Sequence, residues 1–205
     1  MKKLIISFFI VTVMLVSIVS AQETVSYTVV AGDSMWKIAV KYQVGVSEII
    51  SSNPQITNPN MIYPGQKLTV PTMQGIKSLE SQVVKLVNAE RAKQGLQPLT
   101  ENWQLSRVAR YKSADMAAKN YFSHTSPTYG SPFRMMESFG IKYSSAGENI
   151  AYGQKTPEQV MTAWMNSPGH RSNILSPSYS QIGVGYATNK SGTPYWTQMF
   201  IRPTQ

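Results

Sequence analysis

The alternation of hydrophobic and polar positions changes period several times along this chain. The first stretch, M-K-K-L-I-I-S-F-F-I-V-T-V-M-L-V-S-I-V-S-A, is an almost continuous apolar run behind Lys2 and Lys3. It ends on the small residues Val19-Ser20-Ala21. A basic start, an apolar middle and a small-residue exit predict a secretory signal peptide over residues 1–21, cut after Ala21. The competing reading is an uncleaved anchor, because the run is nearly long enough to span a bilayer. No later stretch is apolar enough to do so.

Residues 26–71 predict a small βααβ unit. Tyr27-Thr28-Val29-Val30 reads as a strand, rich in aromatic and β-branched residues. Ala31-Gly32-Asp33-Ser34 breaks it, and Asp33 or Ser34 can cap a helix starting at Met35. Trp36, Ile38, Ala39 and Tyr42 follow at helical spacing. Val46 to Ile50 predicts a second short helix with Ser47 as cap, stopped by Asn53-Pro54. Ile62-Tyr63-Pro64-Gly65-Gln66 is a turn, and Lys67 to Pro71 closes the unit as a strand. Residues 72–77 read as a short linker that tethers.

From residue 78 to 205 the helical period dominates first. Leu79, Val83, Leu86, Val87 and Glu90 predict an amphipathic helix ending near Gln94-Gly95. Thr100 is read as the cap of the next helix, with Glu101 in its first turn. Val108, Ala109, Met116 and Ala117 carry that helix towards Tyr121. Residues 123–132 are a loop and Phe133–Phe139 a short helix. Thr156-Pro157-Glu158-Gln159 starts another helix, with Val160, Ala163 and Trp164 on its apolar face. Residues 181–188 and 195–201 alternate as strands, with Asn189-Lys190-Ser191-Gly192 turning between them. Early helices and late paired strands argue an α+β fold class.

Composition narrows the chemistry. The chain has no cysteine, which excludes disulfides, Cys-ligated zinc, a thiol nucleophile and a lipid-attached thiol. The net charge is +9, and loss of the leader's two lysines lowers it to +7. A basic exported protein is attracted to polyanions such as anionic wall polymers or lipid. No basic stripe with interleaved aromatics points to nucleic acid.

The chain has only two histidines, His124 in Y-F-S-H-T-S-P and His170 in N-S-P-G-H-R-S-N-I-L, with Glu148 between them in A-G-E-N-I-A. Two imidazoles and a carboxylate on separate loops are what a proton-transfer or divalent-metal site needs. The plainer reading gives each residue only a local role. His124 would bond Ser123 or Thr125, His170 would cap the S-P-G turn, and Glu148 would accept backbone N–H groups.

Two resemblances sharpen this. Y-T-V-V-A-G-D-S-M-W-K-I-A, S-S-N-P-Q-I and I-Y-P-G-Q-K-L-T-V-P resemble a LysM domain over residues 26–71. That implies binding of N-acetylglucosamine-containing glycan, peptidoglycan or a related polymer. The implied groove carries Gly32, Asp33, Ser34 and Met35 on one side and Asn53, Pro54, Gln55 and Ile62 on the other. Met35 and Ile62 are then its apolar contacts. The ordered set N-A-E-R, F-S-H-T-S-P, A-G-E-N-I-A, A-W-M-N-S-P-G-H-R-S-N-I-L and I-G-V-G-Y resembles the CAP superfamily over residues 78–205. That implies an α–β–α sandwich around a central antiparallel sheet. It also implies a cleft lined by His124, Glu148 and His170, able in some members to bind a divalent metal such as zinc. The family's second acidic position falls on Ser167 here. Glu137 and Glu158 are near in sequence, and Asn149, Arg171 and Asn173 flank the cleft residues. Phe122, Tyr129 and Tyr152 are its candidate apolar neighbours.

The combined expectation is a secreted protein of the cell wall or spore envelope. One unit binds wall glycan; the other presents a His/Glu cleft for a ligand or metal without turnover. The alternative is a metal-dependent or acid/base hydrolase with Glu148 as base. No G-x-S-x-G elbow or zincin helix supports that, and Ser167 lies in ordinary turn chemistry.

Overall fold

The computed structural model describes residues 23–204, so the expected signal peptide lies outside the described residues. The first unit pairs β1 (Thr24–Thr28) antiparallel with β2 (Lys67–Pro71), and α1 (Met35–Tyr42) and α2 (Val46–Ser51) pack on them. Ser34 caps α1 through its hydroxyl, which accepts from the Lys37 N–H. Asp33 instead locks the preceding turn, accepting from the Val30 N–H and the Tyr27 hydroxyl. Ser47 is not the cap of α2; Gly45 holds that position, and the Glu48 carboxylate accepts its N–H. The core of this unit is Val29, Met35, Ile38, Ala39, Val44, Ile49, Leu68 and Val70.

Of the expected linker 72–77, residues 74–77 belong to a helix. Met73 takes a left-handed conformation (φ 51°), and α3 (Gln74–Ala92) begins at once. Only Thr72 and Met73 separate the last strand of the first unit from the first helix of the second. Glu23 ties the joint, accepting from the Gln74 N–H at 2.7 Å while its backbone carbonyl accepts from the Thr72 N–H at 2.8 Å.

The second unit is a three-layer sandwich. Its sheet has the order β3-β5-β6-β4, with β3 Thr100–Glu101, β4 Ser145–Tyr152, β5 Gln181–Thr188 and β6 Pro194–Arg202. The pairings are antiparallel except for the short β3, which runs parallel to β5. Thr100 therefore does not cap the next helix, α4 (Trp103–Lys119); Asn102 does, accepting from the Leu105 N–H at 3.0 Å. One face of the sheet buries Ile182, Val184, Trp196 and Phe200 against α3, α6 (Pro157–Met165) and α7 (Pro168–Ile174). The other face packs Met199, Ile201, Ile150 and Tyr195 against α4 and α5 (Pro132–Ser138).

Two sequence motifs turn out to be fasteners. In N-A-E-R, Asn88 exchanges hydrogen bonds with the backbone of Leu99. Arg91, only 2% exposed, donates to the carbonyls of Gln97, Ile174 and Ser176 at 2.8–2.9 Å. In I-G-V-G-Y, Gly183 and Gly185 face α4 so closely that a Cβ on either would overlap the helix backbone at Leu105–Ser106 or Ala109–Arg110. Bulk at these positions would push the helix off the sheet. Gly185→Ala is expected to cost about 3 kcal/mol, read as a lowered thermal unfolding midpoint with near-native far-UV circular dichroism.

Candidate functional site

Strand β4 is the edge of the sheet and carries the centre of the site. The sequence places A-G-E-N on a loop; it forms a strand because Gly147 to Ala151 are buried and pair with β6. The alternation sends Gly147 and Asn149 to one face and Glu148 to the other. Gly147 is required by crowding: an added Cβ would press on the Tyr179 hydroxyl and the Asn173 side chain. The Gly153 N–H bonds Pro194 of β6, so the even-numbered residues of β4 direct their backbone groups outward. Side chains satisfy three of the outward carbonyls. Tyr179 donates to Ala146, Asn173 to Glu148 and Trp164 to Ile150, all at 3.2–3.3 Å.

Glu148 points towards the loop after α4. Its carboxylate meets His124 Nδ1 at 2.8 Å, with the Glu148 side chain 1% and the His124 side chain 53% exposed. The second oxygen, Oε2, is buried without a hydrogen-bond partner. Burial pushes the Glu148 carboxyl above its ordinary range, and the His124 contact and the Lys112 charge pull against that.

His124 is held by its backbone. Lys112, with no exposed surface, donates to the carbonyls of Ser123 and His124 at 2.7 Å each. Burial lowers its basicity, and the charges of Glu148 and Asp115 oppose that. One turn further along α4, Asp115 accepts from Tyr121, Ser126 and Thr128 and pairs with Lys119. Burial would raise the Asp115 carboxyl, but the bonds from Ser126, Thr128, Tyr121 and Lys119 outweigh it and hold the group at about 2. A paired Ser126–Gly130 bridge closes the loop.

His170 sits in α7, because Ser167-Pro168-Gly169 opens a helix rather than a bare turn. Burial lowers its basicity, and the nearby His124 charge adds to that. Its backbone carbonyl accepts from Asn149, which also bonds Gln198 and Asn173. The three expected cleft residues thus fall in one neighbourhood, with His124 and Glu148 in direct contact. Among the described residues, no group of three or more His, Asp or Glu side chains is disposed to hold a metal ion. His124 contacts Glu148 through Nδ1 and keeps its other ring nitrogen, an arrangement also found where a carboxylate steadies a metal-ligating histidine. Neither acidic neighbour fills the Ser167 position. Glu137 accepts from the Tyr143 hydroxyl, and Glu158 stays in the exposed first turn of α6.

Of the expected aromatic neighbours, Phe122 and Tyr152 are exposed and lie 4.8 Å apart between ring centroids. Tyr129 packs instead against Phe139 on the α4–α5 side. Arg171 is exposed. Sequence reasoning misses Lys112 and Asp115, although Lys112 carries a signal. It lies four residues from both Val108 and Met116, on the buried stripe of α4, where a lysine needs partners.

In the first unit, Gly32 (φ 85°), Ser34, Pro54 and Gln55 are exposed, and Asp33 is partly so. Two of the expected contacts are corrected. The Met35 side chain is core, 5% exposed, and so offers no surface to a sugar. Asn53 is fully buried, with its carboxamide bonded to Ile49, Thr69 and Gln55. Ile62 is half-buried against the core. The most open apolar side chains are Val30, Trp36, Met61 and Tyr63, each more than half exposed. Met61 and Tyr63 line a surface cavity of about 450 Å³ with Gln55, Ile56, Thr57, Asn58 and Gln66.

The family model described as CAP, the cysteine-rich secretory protein family, matches residues 84–200. The chain belongs to this family. A LysM domain precedes it at residues 27–71. The CAP chain is 62% identical over 126 residues to YkwD, an uncharacterized protein of Bacillus subtilis (strain 168), covering 62% of this chain and 48% of that one. The B. subtilis membrane protein YlbC is 38% identical over 123 residues, covering 60% and 34% respectively. A crystal structure of an extracellular SCP-domain protein from Bacillus anthracis str. Ames superposes with a TM-score of 0.59 at 32% identity, covering 68% of this chain and 47% of that one. The chain therefore spans about half or less of the length of each of these relatives.

Two outcomes check the site. Asp115→Asn is expected to destabilise the protein by about 1–3 kcal/mol near neutral pH. A carboxyl held low in the fold stabilises above its unfolded pKa, roughly 4, and that contribution fades as pH falls towards about 2. Thermal melts across that range are expected to show the gap between the variant and the natural protein closing on acidification. His124→Ala removes an interaction that favours the charged Glu148, so a carboxyl-carbon NMR titration is expected to find Glu148 titrating at higher pH than in the natural protein.

Proposed function

We propose that this CAP protein works at the cell wall as a binding protein. In this reading its LysM module holds an N-acetylglucosamine-containing glycan such as peptidoglycan, and the His124–Glu148–His170 cleft receives a ligand without turnover. The observation that carries the first half is the LysM surface cavity. Met61 and Tyr63 give it an apolar wall, and Gln55 and Asn58 give it amide groups suited to acetamido substituents. Among the described residues, the imidazole of His124 meets the Glu148 carboxylate and no serine or threonine hydroxyl bonds either imidazole, which favours binding.

The charge distribution supports the setting. Residues 23–71 carry three basic and three acidic side chains, whereas residues 72–204 carry fourteen and seven. The CAP domain would therefore be drawn to anionic wall polymers in a salt-dependent way, with no nucleic-acid partner in this reading. In this reading the N-terminal leader exports the protein to the wall or a spore envelope. Among the described residues, no helix is long and apolar enough to cross a membrane.

A second reading, acid/base hydrolysis of a wall or extracellular polymer, draws on one observation. Glu148 is buried, keeps an oxygen without a partner, and burial raises its carboxyl above the ordinary range, as a general acid or base needs. Zinc serves here as a probe: tight, stoichiometric uptake lost in His170→Ala would mean that the two imidazoles hold a metal ion, with Glu148 steadying His124.

Retention of the full protein on purified peptidoglycan tests the first reading. Replacing both Met61 and Tyr63 with alanine is expected to weaken it by about tenfold or more, while His124→Ala leaves it unchanged. Undiminished retention in the double variant would overturn the assignment of this cavity. Release of soluble wall fragments by the natural protein, abolished in His124→Ala, would favour the hydrolase instead.

A further inference from the structure

The two modules meet through a polar contact centred on one residue. Glu48 of α2 in the LysM module accepts from Arg107 Nε at 2.8 Å and from the Tyr111 hydroxyl at 2.7 Å, both on α4 of the CAP domain. Arg107 also donates to the Ser47 hydroxyl at 2.9 Å. The other Glu48 oxygen receives the Gly45 N–H, so the carboxylate is fixed from its own side as well. Lys77, in the first turn of α3, adds a bond to the Tyr42 carbonyl at the end of α1.

Apolar packing contributes little between the modules. Their cores are separate clusters. Beside the Glu48 contact lies a cavity of about 330 Å³, walled by Met73, Ile76, Ala114 and Tyr186 and bordered by Glu48 and Arg107. A gap of that size leaves the joint dependent on the polar contacts. Both partners of the ion pair are largely shielded, at 21% and 16% side-chain exposure, which limits screening by salt.

Gly45 fits this arrangement. Its φ of −80° is open to any residue, so no turn requires glycine there. A Cβ at this position would instead overlap the Arg107 guanidinium. The small residue makes room for the arginine of the other module.

We infer that the LysM module and the CAP domain form one rigid body, latched by Glu48, Arg107 and Tyr111, rather than a wall anchor trailing a free domain. A glycan strand held by the LysM module then fixes the orientation of the CAP cleft. That last step rests on the wall-binding reading; the latch does not.

Nitrogen-15 relaxation of the full chain tests the latch. The natural protein is expected to give one rotational correlation time for residues 23–71 and 74–204. Gly45→Ala and Arg107→Ala are each expected to give two, with the shorter time on the LysM module. In both variants the amide signals of Val44, Ile49 and Leu68 should stay dispersed, showing an intact LysM core. Gly45→Ala is the milder probe, because it displaces one side chain without straining the backbone. Charge exchange, Glu48→Arg with Arg107→Glu, is expected to restore part of the common tumbling. Two correlation times in the natural protein, or a common one in both single variants, would overturn the inference. Peptidoglycan retention by the same samples is read separately, since none of these substitutions touches the Met61–Tyr63 cavity.

Discussion

Helix α4 lies directly on the backbone of β5, and the position of the site follows from that approach. Gly183 and Gly185 remove the side chains that would hold helix and sheet apart. The helix then sits low enough for Ser113 to reach the Gly185 carbonyl and the Thr197 hydroxyl inside the sandwich. Lys112, its neighbour, is carried inward far enough to bind the carbonyls under His124. Asp115, one turn on, gathers the rest of the same loop. The exposed imidazole and the buried carboxylate meet because each is delivered by an element referenced to this one contact.

A buried lysine and a buried glutamate in one neighbourhood would be costly if either stood alone. Here the Lys112 ammonium has two carbonyls and the field of Glu148, while Glu148 has His124 and the field of Lys112. The unpartnered Glu148 oxygen is the place where this compensation is incomplete. Buried polar groups without partners are rare in folds, and this one belongs to the carboxylate that meets His124.

Much of the architecture was legible because period and punctuation agreed. The β5–β6 hairpin, the Thr156-Pro157 helix start and the βααβ order of the LysM module all followed from local chemistry. Errors arose where tertiary partners overrode local signals. Thr100 has a good capping side chain, but pairing with β5 drew it into a strand. A-G-E-N reads as punctuation, but β6 and the donors from α6 and α7 make it a strand. The motif puts Met35 at the sugar, whereas helix phase turns it into the core and exposes Trp36. That His124, Glu148 and His170 belong to one neighbourhood was suggested by the scarcity of histidine together with the family resemblance. Their spacing alone could not show that His124 and Glu148 touch, since the contact joins a loop to a strand through a helix between them.

The outer edge of β4 has one more consequence. An edge strand invites a second chain to continue the sheet, which is how extended aggregates begin. Here the carbonyls that an incoming strand would use are already engaged by a tyrosine, an asparagine and a tryptophan from neighbouring segments. The strand that presents Glu148 is thus less open to further sheet growth. If the protein is held in many copies side by side, as the wall-binding reading implies, this helps keep neighbouring β4 strands from zipping into a polymer.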